Sequence, residues 1–343
     1  LGALDRSGSA GNALQLEPKA DGNQGVVEAG FGAVNRFLET TTSRISQVIA
    51  GNGSSGAGTG ISTGDEALKW GMWAQGFGSY LKQDPWDSSM GYTAHIWGTS
   101  LGLDRLVTDH SLFGVSGGFA RSHIRTSDSG TATDASSYQG SLYASFFRNA
   151  WRVDGTVSCA YNRYDGSRHI AFGGVDRLAT TSYGGYQYSG YIEGGYTITG
   201  GGWNITPLVS LRYSHLHLDG YTEEGAGSLN LSIDSRNYDM FQSGLGTSLS
   251  RPFLWQDSRL MPEVHVKWLY DFIGDRQQTT STFTGGGASF STGGYDPPQS
   301  SLNAGARLTL TNRYGVTVSV NYDLELKKDF YSHAGYANIR FVF

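Results

Sequence analysis

The chain has 343 residues, of which 16% are charged, and its formal net charge is −5. Nucleic-acid-binding proteins carry basic patches, so this charge excludes nucleic acid as the expected partner. Its one cysteine, Cys159, excludes an internal disulfide framework and a cysteine-based metal site, and no run of the sequence approaches the roughly 18 apolar residues of a membrane-spanning helix. A length of 343 residues fits two ordinary domains or one large β-barrel, and glycine, at 50 residues, and the aromatic residues are abundant. The polar inner positions of a barrel would lower its mean hydropathy.

The first elements along the chain are a tether, a helix and a linker. Residues 1–24 show no hydrophobic period, so we expect a tether there. Apolar residues recur at helical spacing over 25–50, which predicts a helix. About 20 helical residues span about 30 Å, the thickness of a hydrocarbon core. The glycine-rich stretch within 51–68 predicts a flexible linker. A helix packed on a soluble domain is one interpretation, and a helix inside a barrel lumen is the other.

Strand patterns fill the remainder of the chain, 69–343. Apolar and polar residues alternate with period two, which is typical of strands whose faces meet different solvents. Twelve strands are predicted, over 69–81, 92–106, 110–123, 135–148, 150–164, 183–199, 202–216, 235–251, 258–273, 299–312, 314–327 and 329–343. Cys159 shares the apolar face of its strand with Trp151 and Tyr161, so we expect it to face lipid. The faces of the first strand are ambiguous, because Trp70, Met72 and Trp73 do not share one parity.

The connections between these strands alternate in length. The longer ones are 82–91, 124–134, 165–182, 217–234 and 274–298. Outer-membrane barrels have short periplasmic turns and long extracellular loops, so this alternation predicts both barrel ends on the periplasmic side. A helix that precedes the first strand would then run from the extracellular mouth to the periplasmic side. This arrangement favours the lumen as the place of the helix.

The last strand ends on an aromatic residue. Its apolar or small residues fall on one parity: Gly335, Ala337, Ile339, Phe341 and Phe343. In a soluble sheet such a terminal strand would leave an aggregation-prone edge, whereas a closed barrel pairs the last strand with the first. The sequence therefore predicts an all-β transmembrane fold, a 12-stranded antiparallel outer-membrane barrel with an N-terminal helix in its lumen.

The lumen-length helix, the glycine-rich linker, the twelve strands and the run Trp73 to Gly78 together resemble the translocator (β) domain of a monomeric autotransporter of the type V secretion system. The resemblance implies export of a passenger that precedes Leu1, with 1–24 as its remnant and the helix left in the pore. It implies the outer membrane of a Gram-negative bacterium, a monomer, no enzymatic turnover and no cofactor. The implied partners are outer-membrane lipid, the barrel assembly machinery, periplasmic chaperones and the passenger itself.

The resemblance also implies roles for individual residues. The terminal residues Gly335, Ala337, Ile339, Phe341 and Phe343 resemble the family's assembly signal, although the family often has tyrosine where this chain has Phe341. One subfamily cuts its helix between two adjacent asparagines inside the lumen. Here Asn35 is followed by Arg36, so Asn35 is the candidate position and we expect no cut.

Three charged residues of the predicted helix are candidate contacts with the lumen wall: Arg36, Glu39 and Arg44. A charged helix face is ordinarily solvated, but a narrow lumen favours pairing. Glu263 and Arg307, both predicted to face the lumen, are suitable partners.

Catalytic and metal sites are not predicted. Asp109 and His110 fall in a short turn, where such residues are common. Ser214 and His215 are adjacent in a strand and point to opposite faces, so they do not form a nucleophile–base pair. The glycine-rich stretch 285–294 lacks the ending of a phosphate-binding loop and predicts a mobile surface loop. The alternatives that remain are an outer-membrane barrel enzyme, a protease or lipase, and a simple porin.

Overall fold

The computed structural model describes residues 24–52, 70–85, 90–127, 130–274, 277–295 and 297–343. In the helix, side chains are described for 25–39 and 41. In these ranges, no helix combines the length and apolar character needed to span a bilayer. The predicted tether, 1–24, and linker, 51–68, fall almost wholly outside the described residues.

One helix precedes eighteen strands in the described part of the chain. The helix, α1, covers Gln24–Asn52. The strands are β1 (Trp70–Gln83), β2 (Tyr92–Thr108), β3 (Ser111–Thr126), β4 (Thr131–Arg148), β5 (Trp151–Phe172), β6 (Val175–Tyr196), β7 (Ile198–Gly200), β8 (Trp203–Leu218), β9 (Tyr221–Thr222), β10 (Leu231–Ile233), β11 (Arg236–Ser250), β12 (Phe253–Trp255), β13 (Ser258–Asp271), β14 (Gln277–Phe283), β15 (Phe290–Tyr295), β16 (Ser300–Asn312), β17 (Thr317–Lys327) and β18 (Phe330–Val342).

The twelve long strands form one closed antiparallel barrel. Each pairs with the next long strand along the chain, and β6 and β11 both pair with β8. The last strand, β18, pairs with β1 over the full length of both, with Gly78 opposite Gly335. Main-chain hydrogen bonds of 3.0 Å in both directions between Trp70 and Phe343 complete the closure. The predicted closed barrel of twelve antiparallel strands is confirmed.

The two faces of the wall carry different side chains. The outside is apolar and aromatic, with Phe343 and Leu142 exposed, and the inside is polar or covered by α1. Cys159 is exposed on the outer face, as its parity predicts. The structure also resolves the faces of β1, because Trp73 is 1% exposed inside the barrel while Trp70 and Met72 are 44% and 49% exposed outside.

The long-loop end of the barrel is more structured than the sequence predicts. The interpretation of 165–182 as a loop is wrong, since β5 and β6 continue as a hairpin whose two-residue turn is Gly173-Gly174. Both glycines have positive φ, at 51° and 83°, which is the conformation that tight hairpin turns require. The predicted loops 217–234 and 274–298 hold the four strands of a small second sheet, β9, β10, β14 and β15. The stretch 285–294, predicted as a mobile loop, contributes most of β15 to that sheet.

Candidate functional site: the helix in the barrel lumen

The N-terminal half of α1 fits tightly against the apolar inner wall. Val26, Val27 and Phe31 are buried in the cluster that includes Ile124 and Leu216 of the barrel. Glycine makes this approach possible: a Cβ placed on Gly25 would lie 2.5 Å from Cγ2 of Ile124. The glycines that weaken the helix as an isolated segment therefore serve its packing in the lumen.

A tyrosine stack continues this apolar contact toward the long-loop end. Tyr164 lies beside the helix, since its hydroxyl would be 3.5 Å from a Cβ on Gly30. Its ring stacks on Tyr183 with centroids 5.0 Å apart, and Tyr183 stacks on Tyr221 of β9 at 4.3 Å. The stack therefore links the helix to the small second sheet. Two of its rings, Tyr164 and Tyr183, are buried.

A buried ion pair of the same end stabilises the second sheet. Arg168 of β5 donates two hydrogen bonds to Glu223, at 3.0 and 2.5 Å, and a third to the carbonyl of Leu229. The Glu223 carboxylate also accepts a bond from the main-chain N–H of Leu231. Both side chains are mostly buried, and their hydrogen bonds satisfy them.

The middle of the helix is anchored by an arginine. Arg36 is 3% exposed and donates to Glu39 at 2.9 Å, to the Tyr336 hydroxyl at 2.9 Å and to Ser332 Oγ at 2.8 Å. The hydroxyl of Tyr336 donates in turn to Glu39. Two residues of β18 thus hold Arg36 and Glu39, two of the charged residues of α1. A buried guanidinium is stable in this position because it is both paired and hydrogen-bonded.

Further polar contacts flank this anchor. Asn35 accepts a hydrogen bond from Arg212 of β8, which also donates to Gln242 at 2.7 Å. Thr41 lies 3.2 Å from Thr156 of β5, hydroxyl to hydroxyl. Polar contacts therefore tie α1 to several separate strands.

The charged helix residues contact different wall residues from those that the sequence suggested. Arg36 and Glu39 both contact β18, whereas the side chain of Arg44 lies outside the described residues. Glu263 and Arg307 do not reach the helix charges but pair with each other at 3.4 Å. They are direct cross-strand neighbours of β13 and β16, so each finds its partner on the wall.

Sequence reasoning missed the wall residues that hold the helix, chiefly Arg212, Ser332 and Tyr336. All three occupy inward positions of their strands, and the alternation of β18 carries that signal for two of them. Matching them to a particular turn of the helix requires the barrel's register and the depth of the helix, which the alternation alone does not give.

A polar cavity separates the helix from the opposite wall. Its lining includes Asn35 and Glu39 of α1 and charged residues of several strands. Glu193 accepts from Arg152 at 2.7 Å, from the Tyr191 hydroxyl at 2.7 Å and from Lys267. His265 pairs with Asp323 at 2.9 Å. The charges of this wall are therefore of both signs and mutually paired, which suits a lumen that admits water and polar chain segments.

The residues considered for catalysis lie apart. Ser214 is buried inside the barrel with its hydroxyl 2.8 Å from that of Ser189, whereas the ring of His215 lies 2.9 Å from the Asp239 carboxylate of the neighbouring strand β11. His110 lies in the turn between β2 and β3. Among the described residues, no group of three histidine, cysteine, aspartate or glutamate side chains is arranged to hold a metal ion.

The terminal strand places its alternate residues as the pattern predicts. Ile339, Phe341 and Phe343 are exposed on the outer face, at 38%, 42% and 70%, together with the small Gly335 and Ala337. Between them, Tyr336 faces the helix inside the barrel. One strand thus presents an apolar stripe outside and the anchor of α1 inside.

Comparisons with known proteins agree with this architecture. The sequence profile of the autotransporter beta-domain family matches residues 72–323. The chain is 24% identical over 324 residues to Outer membrane protein A of Rickettsia conorii, covering 90% of this chain and 16% of that protein. It is 26% identical over 240 residues to Esterase EstA of Pseudomonas aeruginosa, covering 68% of this chain and 36% of that protein. The chain therefore spans a minor part of the length of either relative.

Among solved structures, the translocator domain of autotransporter NalP from Neisseria meningitidis has a similar fold. The TM-score is 0.68 at 17% identity, and the superposition covers 94% of this chain and 99% of that one.

Proposed function

Because the chain belongs to the autotransporter beta-domain family, we propose that its passenger precedes Leu1 and that α1 is the segment left in the pore after export. The chain is an integral outer-membrane protein whose barrel mediates passenger export. The observation that carries the proposal is the fit of α1 to the lumen, apolar at one end and ion-paired at the middle. A segment held in this way closes a pore that the barrel alone would leave open.

The direction in which the chain passes through the lumen follows from the placement of the helix. Gly25 lies at the long-loop end of β2 and β3, beside Tyr92 and Ile124, and Thr41 lies near the short-turn end of β5. A chain that enters at the long-loop mouth and descends through the lumen connects an external passenger to β1. We propose the barrel assembly machinery, periplasmic chaperones and outer-membrane lipid as its partners, and a monomer as its functional state.

The division of labour between barrel and passenger is a second part of the proposal. The described residues bring no nucleophile, base and orienting group together, and the similarity to Esterase EstA covers 36% of that protein. We propose that the barrel performs no turnover and that any enzymatic activity resides in the passenger. A simple porin is less well supported, because the anchor of α1 has no use in an open channel.

Single-channel recording tests the proposal. Deletion of residues 1–52 removes α1, whose diameter of about 10 to 12 Å corresponds to about 80 to 110 Å² of lumen cross-section. We expect the deletion to leave a folded, heat-modifiable barrel with a clearly larger conductance in planar bilayers. Equal conductance of the two proteins would contradict the occupation of the pore by α1.

A further inference from the structure

The outer surface changes from aromatic to basic across two consecutive rows of β3, β4 and β5. Phe119, Tyr138 and Tyr161 face each other across the three strands and form what we call the aromatic row. Two residues further toward the long-loop end lie Arg121, Ser136 and Arg163, the basic row. Since side chains of a strand alternate between faces, both rows lie on the same side of the wall. Tyr138 and Tyr161 are each 56% exposed there, which identifies the outside.

The basic row places two arginines on either side of a serine. Arg121 of β3 and Arg163 of β5 are the cross-strand neighbours of Ser136 on its two sides. Their main chains are therefore two strand spacings, or about 10 Å, apart. The side chain between them, Ser136, is small and carries a hydroxyl. Two long cationic side chains over a hydroxyl form a suitable receptor for an anion with several oxygen atoms.

The two arginines are incompletely paired. The Arg121 side chain is exposed, and no side-chain hydrogen bond or ion pair joins it to another of the described residues. Arg163 lies 3.6 Å from Asp165, and both side chains are more than half exposed, a geometry that contributes little energy. The row beyond contains Asp134, which is bound to His123 at 2.8 Å. Asp134 and Asp165 both lie in this next row, so the basic row itself carries two positive charges and no negative one.

Arginines at the opposite end of the barrel are arranged differently. Arg105 lies over the ring of Trp70 at 5.2 Å, and Arg251 lies over Trp203 at 5.2 Å. Those guanidinium groups are occupied by aromatic faces. An arginine beside an aromatic residue of this barrel can therefore stack on the ring, whereas Arg121 and Arg163 of the basic row make no such contact among the described residues.

We propose that Arg121 and Arg163, with Ser136 between them, bind a phosphate of an outer-leaflet lipid headgroup, the lipid being a phosphorylated glycolipid. Aromatic residues of barrels lie at the membrane–water interface, so the row immediately outside them lies among the headgroups. Guanidinium groups bind phosphate oxygens in bidentate geometry, which an exposed lysine does not reproduce. The aromatic row packs against the acyl chains of the same lipid. The site holds the barrel at a defined depth in the outer leaflet.

Binding of lipid A to the detergent-solubilised full chain tests this site. The double variant R121Q/R163Q removes both charges and keeps side-chain length. Each basic residue near a charged membrane surface contributes about a fivefold change in affinity, so we expect binding to weaken about 25-fold. The matched control is R148Q/R313Q, which removes two exposed arginines at the periplasmic end and is expected to bind lipid A as the unchanged protein does.

Three further measurements decide the outcome. Unchanged heat-modifiability of both variants shows that the barrel is folded, which the exposure of all four arginines favours. Lipid A without its phosphates is expected to bind the unchanged protein as weakly as the double variant does. Equal binding of the phosphorylated and dephosphorylated lipids, an equal loss in the control variant, or displacement of lipid A by millimolar inorganic phosphate would each overturn the assignment.

Discussion

Removing the central anchor of the helix is expected to open the pore without unfolding the barrel. In Arg36→Met the side chain retains its apolar length but loses its bonds to Glu39, Tyr336 and Ser332. Breaking a fully buried ion pair costs about 3 to 5 kcal/mol, and losing hydrogen bonds to a charged group costs about 1.5 to 3 kcal/mol. The Glu39 side chain is 38% exposed, so the lower range applies. We therefore expect a loss of about 2 to 3 kcal/mol in helix docking.

That loss corresponds to about a 30- to 150-fold increase in the undocked fraction of the helix. The assay is the frequency of large-conductance openings of the full chain in planar bilayers. Arg313→Met is the control, since Arg313 is exposed in a periplasmic turn and its pair with Asp257 contributes little. Adding Glu39→Gln to the Arg36 variant removes the unpaired charge and should restore part of the docking. An opening frequency of Arg36→Met no higher than that of the control would refute the anchor.

Three other predictions concern the helix and the wall. Gly25→Val is expected to weaken helix docking by about 1 to 3 kcal/mol through overpacking and to raise the opening frequency, whereas Gly140→Ala, with open space around it, should not. Cys159 should react slowly with a membrane-impermeant maleimide in proteoliposomes and quickly after unfolding; fast labelling of the folded protein would contradict its contact with lipid. Protein purified from native membranes should show no cut after Asn35, and N-terminal sequencing that begins at Arg36 would contradict this.

The barrel is predictable from sequence because its walls separate two solvents. Each strand has to present apolar groups outward and polar groups inward, so the alternation survives in almost every segment. The pattern fails at β1, where Trp70, Met72 and Trp73 all read as outward candidates. Trp73 lies inside because its indole N–H donates to the Tyr143 hydroxyl at 2.7 Å, and that hydroxyl donates to Asp104. A buried hydrogen-bond network of this kind has no periodic signature.

The long-loop end is less predictable because membrane solvation no longer acts there. The extended hairpin of β5 and β6 stands where both faces meet water or other loops, so alternation weakens while pairing continues. Its turn, Gly173-Gly174, reads equally well as part of a loop. The contacts of the helix are unpredictable for a different reason. Closure of the barrel brings Arg212 and Tyr336 to α1, and no local sequence pattern encodes which wall residues lie beside which turn of the helix.

The terminal strand provides a prediction in which stability and assembly separate. In Phe343→Ala the ladder bonds to Trp70 remain, because they are main-chain bonds, and the lost apolar burial costs at most about 1.5 to 3 kcal/mol. A barrel paired along every strand should tolerate that loss, so we expect near-normal refolding into detergent or lipid. If the outer stripe Gly335, Ala337, Ile339, Phe341 and Phe343 is also the assembly signal, the same variant should reach the outer membrane poorly in cells and be degraded. Val342→Ala, half-buried on the other face, is the control and should be mild in both assays. Normal surface assembly of the double variant Phe341→Ala, Phe343→Ala would show that the strand closes the barrel but is not the assembly signal.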